Sequence, residues 1–339
     1  MKRFLLPITA LFLFSQKAYA GMGLWNTLFG DGDNEFVCYS RVHRNFFLAI
    51  FAGVLATGII AWRLYRLKKK SAEQLAEQKT IIEEQNKDIL DSIRYASRMQ
   101  EAIKPDASVI SSALPHSFFF LKPRDIVSGD FYFVDHCRDK LIIAAMDCTG
   151  HGVPGAFLTF IGHNALRHAI EKTGSEHPSV LLDAMNREVK NTLGQQRPEN
   201  ELNDGMEVGL CVLDPKTGRL DYAGAGSALY LFRDDKLEEI KPAKCTVGSI
   251  QSHVTEAPPV HSFTLKPGDS FYLGSDGIPD QFGGPEGKKF RKEQLRNMLR
   301  EINHLSPNEQ LATVEATMSN WMRGHKQTDD MLLLGVRFA

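Results

Sequence analysis

Residues 128–152, SGDFYFVDHCRDKLIIAAMDCTGHG, hold two apolar runs separated by a short polar stretch. FYFVDH and LIIAAM each have the composition of a strand, and Cys137-Arg138-Asp139-Lys140 lies between them. A hairpin folded about Arg138-Asp139 makes Asp130 and Asp147 direct cross-strand partners. Their Cβ atoms would then lie about 4.5–5.5 Å apart, where like charges destabilise a sheet unless something neutralises them. A cation or a shared proton would do so. Taken singly, each has a plainer reading: Asp130 ends a turn, and Asp147 caps the helix that follows.

Two further aspartates occupy the same kind of place. Asp276 in YLGSDG and Asp329 in TDDMLLLGV each sit where an apolar strand-like run meets a polar or glycine-rich turn. At the end of a buried strand, a carboxylate can point into a cleft instead of the core. Oxygen-rich clusters of this kind suit Mg²⁺ or Mn²⁺, and two such ions can activate water against a phosphate.

The chain around these motifs divides by composition. Its 339 residues leave room for one large globular domain with appendages, or two modest ones. A net charge of −1, with no basic tract except beside one apolar run, gives no reason to invoke nucleic acid. The five cysteines, Cys38, Cys137, Cys148, Cys211 and Cys245, are scattered without a CxxC pair, which fits a reducing compartment rather than a disulfide framework. Neither Cys137 nor Cys148 is followed by the Cys-x₅-Arg spacing of a thiol phosphatase.

Met1-Lys2-Arg3, the apolar residues 4–14 and Ala18-Tyr19-Ala20 read as a secretory signal peptide over residues 1–20, with an uncleaved anchor as the alternative. Residues 21–45 would be a short extracytoplasmic segment. The uncharged run 46–62 is followed by Arg63, Arg66 and Lys68-Lys69-Lys70, so a transmembrane helix is expected at 46–65. The basic cluster after it places the rest of the chain in the cytoplasm, as a single-pass protein of the bacterial cytoplasmic membrane. Residues 66–104 are rich in Glu, Gln, Lys and Ala. Leu75, Ile82, Ile89, Ala96 and Ile103 recur every seventh residue, with Ile93 and Met99 in a second stripe. That pattern predicts a coiled-coil linker and a homodimer through it, weak in its first half where Gln78, Gln85 and Ser92 occupy the seam. A single amphipathic helix packed on the next domain fits 89–103 nearly as well. Pro105 ends the helix.

From 105 to 339 strand and helix patterns alternate. Strands are expected at about 117–122, 130–136, 141–147, 207–213, 219–225, 228–233, 262–265, 269–274 and 331–338, and helices at about 155–172, 178–192, 291–302 and 307–323. Short turns such as 214–218 imply antiparallel pairing, and GAGS at 224–227 reads as a hairpin turn. Helices in pairs argue for a layered α+β fold, not a doubly wound one.

Taken in order, SGDFYF, DCTGHGVPGAF, LGSDGIPDQFGG and TDDMLLLGVRF resemble the metal-dependent serine/threonine phosphatases of the PPM type, nearest the branch named for stage II sporulation protein E. DSIRYASRMQEAIKPD is similar to the helical lead-in of membrane-bound members, so the resemblance runs from about residue 89 to 339. It implies two antiparallel sheets sandwiched between helix pairs (α-β-β-α), and two Mn²⁺ or Mg²⁺ ions per active site. It places metal carboxylates at Asp130, Asp147 (bridging), Asp276 and Asp329, and a main-chain carbonyl ligand at Cys148. Asp330 competes with Asp329 for that place, and Asp204 in NDGME resembles a further metal position. The activity implied is hydrolysis of phosphoserine or phosphothreonine in a protein substrate by water activated between the ions. His151 is a candidate general acid, or else holds the turn at the helix start. Arg124 is a candidate contact to the substrate phosphate, or else a solvated loop residue. Two other readings fit part of the pattern. A catalytically silent phosphoprotein-binding scaffold has no use for clustered charge, and a two-metal nucleotide cyclase leaves SDG and TDDM unexplained.

Overall fold

The computed structural model describes residues 33–195, 204–234, 236–249 and 258–339, the first eight of them by their main chain alone. The expected signal peptide at 1–20, and residues 21–32 of the segment expected at 21–45, lie outside the described residues. Helix α1, Asp33–Ile103, is continuous over 71 residues. It has no proline and stops two residues before Pro105, whose ring disfavours helical geometry in the residue before it. Its apolar stretch is the one among the described residues long and apolar enough to cross a membrane, with a mean hydropathy of 1.9 over 18 residues. The heptad residues Leu75, Ile82 and Ile89 lie exposed on the helix surface.

Asn86–Ala339 form one compact unit. After the short helix α2, Ala107–Ala113, come strands β1 (Ser117–Lys122), β2 (Asp130–Cys137) and β3 (Lys140–Cys148), then helices α3 (Gly152–Thr173) and α4 (Pro178–Thr192). Strands β4 (Met206–Leu213), β5 (Arg219–Ala225), β6 (Leu229–Arg233), β7 (Lys236–Ile240), β8 (His261–Thr264) and β9 (Ser270–Gly274) follow. Beyond them lie the single turn α5 (Gly277–Asp280), the small hairpin β10 (Phe282–Gly283) and β11 (Lys288–Lys289), helices α6 (Arg291–Ile302) and α7 (Pro307–Trp321), and β12 (Met331–Arg337). Local signals set the helix ends. Gly174, at φ 56°, closes α3 in the left-handed region, Pro178 opens α4, and a Ser306–Glu309 capping box opens α7.

The strands form two antiparallel five-stranded sheets, in the orders β2-β3-β4-β5-β8 and β1-β12-β9-β6-β7. Three apolar layers result. Phe131, Phe133, Ile142, Ala144, Met146, Val208 and Leu210 face α3 and α4, burying Leu166, Leu181 and Met185. Leu141, Ile143, Ala145 and Cys211 pack between the sheets against Phe271, Leu273, Leu332 and Leu334. Phe118, Phe120, Tyr272 and Leu333 cover α6 and α7 through Leu299, Val314 and Met318. Full burial of each Leu, Ile, Val, Phe or Met among them contributes about 1.5–3 kcal/mol, so the three layers together fix both sheet faces. The α+β sandwich expected from the sequence is the fold observed.

Two differences are physical. The glycine cluster at 224–227 does not make a hairpin: β5 and β6 lie in different sheets, and the segment carries the chain from one to the other. Tyr222 Oη donates to the Ser227 carbonyl at 2.5 Å and pins that crossover. Strand β7, KLEEI, escapes an apolar periodicity because it is a partly exposed edge strand, paired among the described residues with β6 alone.

Candidate metal centre

The alternation of side chains along the strands accounts for the site. On β3, Leu141, Ile143 and Ala145 face the other sheet, and the next residue of that parity is Asp147. On β2 the same parity runs from Val134 through Tyr132 to Asp130, and on β4 from Cys211 back to Glu207. Asp130 pairs with Asp147 and Asp147 with Glu207, so three carboxylates form a row across three neighbouring strands. The turn is the expected one, with Arg138 in the left-handed region at φ 55°. On the facing sheet, the run Phe271, Leu273 leads to Ser275, and Leu334, Leu332 to Asp330. One end of the intersheet core is therefore polar on both walls.

That placement is electrostatically unfavourable for the protein alone. Burial, then the charge of Asp147, push the Asp130 carboxyl well above the usual carboxylate range. Asp147 is pushed up to about 8, first by burial and then by Asp276. Asp276 is raised by partial burial, Asp280 and Asp329. Glu207, part of whose surface is open, is raised by partial burial and then by Asp276. Asp147 thus lies within electrostatic reach of Asp130, Asp276 and Asp329.

They do not yet form a cage. Among the described residues, no three His, Cys, Asp or Glu side chains stand in ligand geometry around one point. Each carboxylate takes what hydrogen bonds the protein offers. Ser275 donates to Asp130, and the Asp276 N–H lies 3.4 Å from Asp147 Oδ2. The donor set is nevertheless one that hard divalent cations take, all oxygen and over-supplied with negative charge. A cation would offset both the burial and the mutual repulsion that raise these groups, so the residues present fit such ions.

The structure separates the two aspartates of TDDM. Asp330 is 2 % exposed, and its two oxygens accept from the main-chain N–H groups of Arg124 and Gly129, both at 2.7 Å. It anchors the β1–β2 loop. Asp329 is half-buried and acts on the charges of Asp130, Asp147 and Asp276. Arg124 is exposed and donates from Nη1 to the Thr328 carbonyl at 3.0 Å, which holds it beside the site. Cys148 is buried, and its N–H pairs with the Gly129 carbonyl at 3.3 Å. Asp204 adjoins the Cys148 turn through the main chain: its carbonyl accepts from Gln195 Nε2 at 2.6 Å, and the Gly205 carbonyl accepts from Thr149.

His151 immediately precedes α3 with extended backbone and makes no side-chain cap. Its Nδ1 lies 3.1 Å from Asp125 Oδ2 instead, with both side chains about half exposed. Gly155 lets this turn close: a Cβ there would overlap the Gly150 carbonyl oxygen. Asp125, Ser275 and Glu207 were not singled out from the sequence. For Ser275 and Glu207 the signal was present, in the strand parity just described. Asp125 lies in a loop and carries no periodicity.

The comparisons with known proteins agree with this geometry. The family model of stage II sporulation protein E (SpoIIE) matches residues 138–339. The chain is similar to the SiaA-PP2C domain of Pseudomonas aeruginosa, at 35% identity and a TM-score of 0.68 over 75% of this chain and 98% of that one. Two more distant structures share the fold. The RsbU and RsbW domains of Rv1364c from Mycobacterium tuberculosis are 23% identical, with a TM-score of 0.50, over 65% of this chain and 59% of that one. The phosphatase domain with a fragment of the regulatory domain of SpoIIE from Bacillus subtilis is 21% identical, with a TM-score of 0.50, over 65% and 61%. No curated protein matches the chain. With more than half of its length under one family model, this chain belongs to the SpoIIE family of PP2C/PPM-type serine/threonine phosphatases.

Proposed function

We propose that the chain is a membrane-anchored phosphoprotein phosphatase that uses two Mn²⁺ or Mg²⁺ ions to hydrolyse phosphoserine and phosphothreonine esters. The observation that carries this reading is the row Asp130, Asp147, Glu207 at the polar end of the intersheet core, facing Asp276 and Asp329. PPM-family phosphatases are metal dependent, which supports the same conclusion. Asp130, Asp147, Asp276, Asp329 and the Cys148 carbonyl would hold the ions, with Asp204 and Asp330 as further candidates. Two such ions supply Lewis acidity, acidifying water and offsetting charge on the phosphoryl oxygens.

The chain's own residues supply the rest. Asp125 orients His151 through Nδ1, leaving Nε2 as the atom that would deliver a proton to the departing seryl or threonyl oxygen. Arg124, fixed beside the site by its contacts to Asp330 and Thr328, would bind the substrate phosphate. Asp330 shapes the loop that carries Arg124 and Asp125.

The rest of the reading concerns placement. Residues 1–20 would be a signal peptide, 21–45 a short extracytoplasmic segment, 46–65 the transmembrane helix, 66–104 the linker and 105–339 the phosphatase domain in the cytoplasm. The basic cluster after the apolar run supports that orientation, and the exposed Leu75, Ile82 and Ile89 support a homodimer through the linker. Nucleic acid has no part in it. The test is hydrolysis of p-nitrophenyl phosphate and of a phosphoserine peptide by this chain, with Mn²⁺, with Mg²⁺ and with neither ion. Metal-dependent turnover that Asp147→Asn abolishes supports the reading. No turnover with either ion favours a silent phosphoprotein-binding scaffold.

A further inference from the structure

The Ser128–Asp130 loop is held by its main chain at every step, and one of the holders is the end of the linker helix. Gln100, in the last turn of α1, is 7 % exposed. Its Nε2 donates to the Ser128 carbonyl at 2.7 Å, and its Oε1 accepts from the Ser128 N–H at 3.1 Å. Only one amide orientation makes both bonds, since the reverse would set N–H against N–H and oxygen against oxygen. From Ser128 the chain of contacts runs directly to Asp130. The Ser128 carbonyl also accepts from Thr159 Oγ1 on α3, and Ser128 Oγ accepts from the Asp130 N–H. Gly129 donates to Asp330. Beside this joint lies a cavity of about 260 Å³ bounded by Gln100, Lys104, Ile126, Asp130, Tyr132 and His163. The amide pair ties the helix end to the loop across the edge of this cavity.

We propose that Gln100 is a positioning residue for the metal centre. The last turn of α1 sets the place of Asp130 through the Ser128 main chain, so a shift of that turn changes metal affinity. The proposal rests on Asp130 being a metal carboxylate. Groups that orient metal ligands from behind are worth about 10–100-fold in metal affinity.

The test is Mn²⁺ titration of the full-length chain by calorimetry, well below the unfolding transition, for wild type, Gln100→Met, Gln100→Glu, Arg98→Ala and Asp130→Asn. Gln100→Met keeps length and removes both bonds. It is expected to weaken Mn²⁺ binding about 10-fold, while KM for p-nitrophenyl phosphate at saturating Mn²⁺ stays at the wild-type value. Gln100→Glu still accepts from the Ser128 N–H but sets an oxygen against the Ser128 carbonyl, so it should also weaken Mn²⁺ binding, which keeps the test open if Gln100→Met does not fold. Arg98→Ala, exposed on the same helix, should match wild type. Wild-type Mn²⁺ affinity in folded Gln100→Met or Gln100→Glu, with Asp130→Asn impaired, overturns the positioning role alone. Unaltered Mn²⁺ binding in Asp130→Asn overturns the reading of Asp130, and this proposal with it.

Discussion

Ser275 joins the two sheets at the charged end of the core. Its hydroxyl donates to Asp130 Oδ2 at 2.5 Å, and the same oxygen accepts from the Leu332 N–H at 3.0 Å. Removing it leaves a buried N–H unpaired on one sheet and an unsupported carboxylate on the other. Ser275→Ala should therefore lower stability by about 1–3 kcal/mol, measured by denaturant unfolding. It should also weaken Mn²⁺ activation of phosphatase activity by about 10-fold. Loss of stability with unchanged metal dependence would remove Ser275 from the site.

Asp147 presents the opposite balance. Flanked by Asp130 and Glu207 in register and acted on by Asp276, it is a charge the metal-free fold would be better without. Asp147→Asn should raise the stability of the metal-free chain by about 1 kcal/mol, the usual trade at a functional site. It should lower Mn²⁺-dependent turnover by at least about 100-fold, since the role proposed for it, a ligand shared by both ions, would matter more than the groups behind it. Melting in chelator and turnover in Mn²⁺ check the two halves separately.

The two aspartates of TDDM should separate by phenotype. Asp330→Ala strands the main-chain N–H groups of Arg124 and Gly129, the second of them buried, and should cost about 3 kcal/mol of stability. Asp329→Ala should leave the melting temperature of the metal-free chain near wild type and reduce Mn²⁺ affinity instead. Calorimetric melting beside Mn²⁺ titration distinguishes them, and the reverse pattern would exchange their roles.

His163 gives the pH prediction. It is buried on α3 with its ring 5.4 Å from that of Phe133, and among the described residues its Nδ1 has no hydrogen-bond partner. Burial, then the charge of Arg167, hold its pKa below the ordinary histidine value. The unfolded chain therefore takes up this proton first, at about pH 6.5. The stability this residue contributes is present above that pH and is lost as the pH falls below it. His163→Phe keeps the aromatic contact and removes the titration. It should lose less stability than wild type between about pH 8 and about pH 5, measured by urea unfolding at both.

Much of this was legible in the chain itself. The hairpin turn at Arg138-Asp139 was set by a polar stretch between two apolar runs, and that register alone brought Asp130 opposite Asp147. The helix pairs followed from clear 3.6-residue stripes, with α4 and α6 matching the expected spans residue for residue. Short or edge elements did not show: α2 and α5 span only two turns or fewer, and β7 is a five-residue edge strand with three charged residues. Nor did contacts made across long separations, such as Gln100 to Ser128 or Ser275 to Asp130, since they depend on the docking of elements and not on local pattern. The glycines at 224 and 226 read as a hairpin because local composition cannot distinguish a turn within a sheet from a crossing between two.

The most direct measurement is the anomalous scattering of manganese in a crystal of the full-length chain. Two peaks between the β2–β3 strand ends and the turn at Ser275-Asp276, with oxygens of Asp130, Asp147, Asp276 and Asp329 at ligand distance, are the predicted result. No peak there, with those four carboxylates turned away from one another at full manganese saturation, would contradict the phosphatase mechanism proposed for this chain.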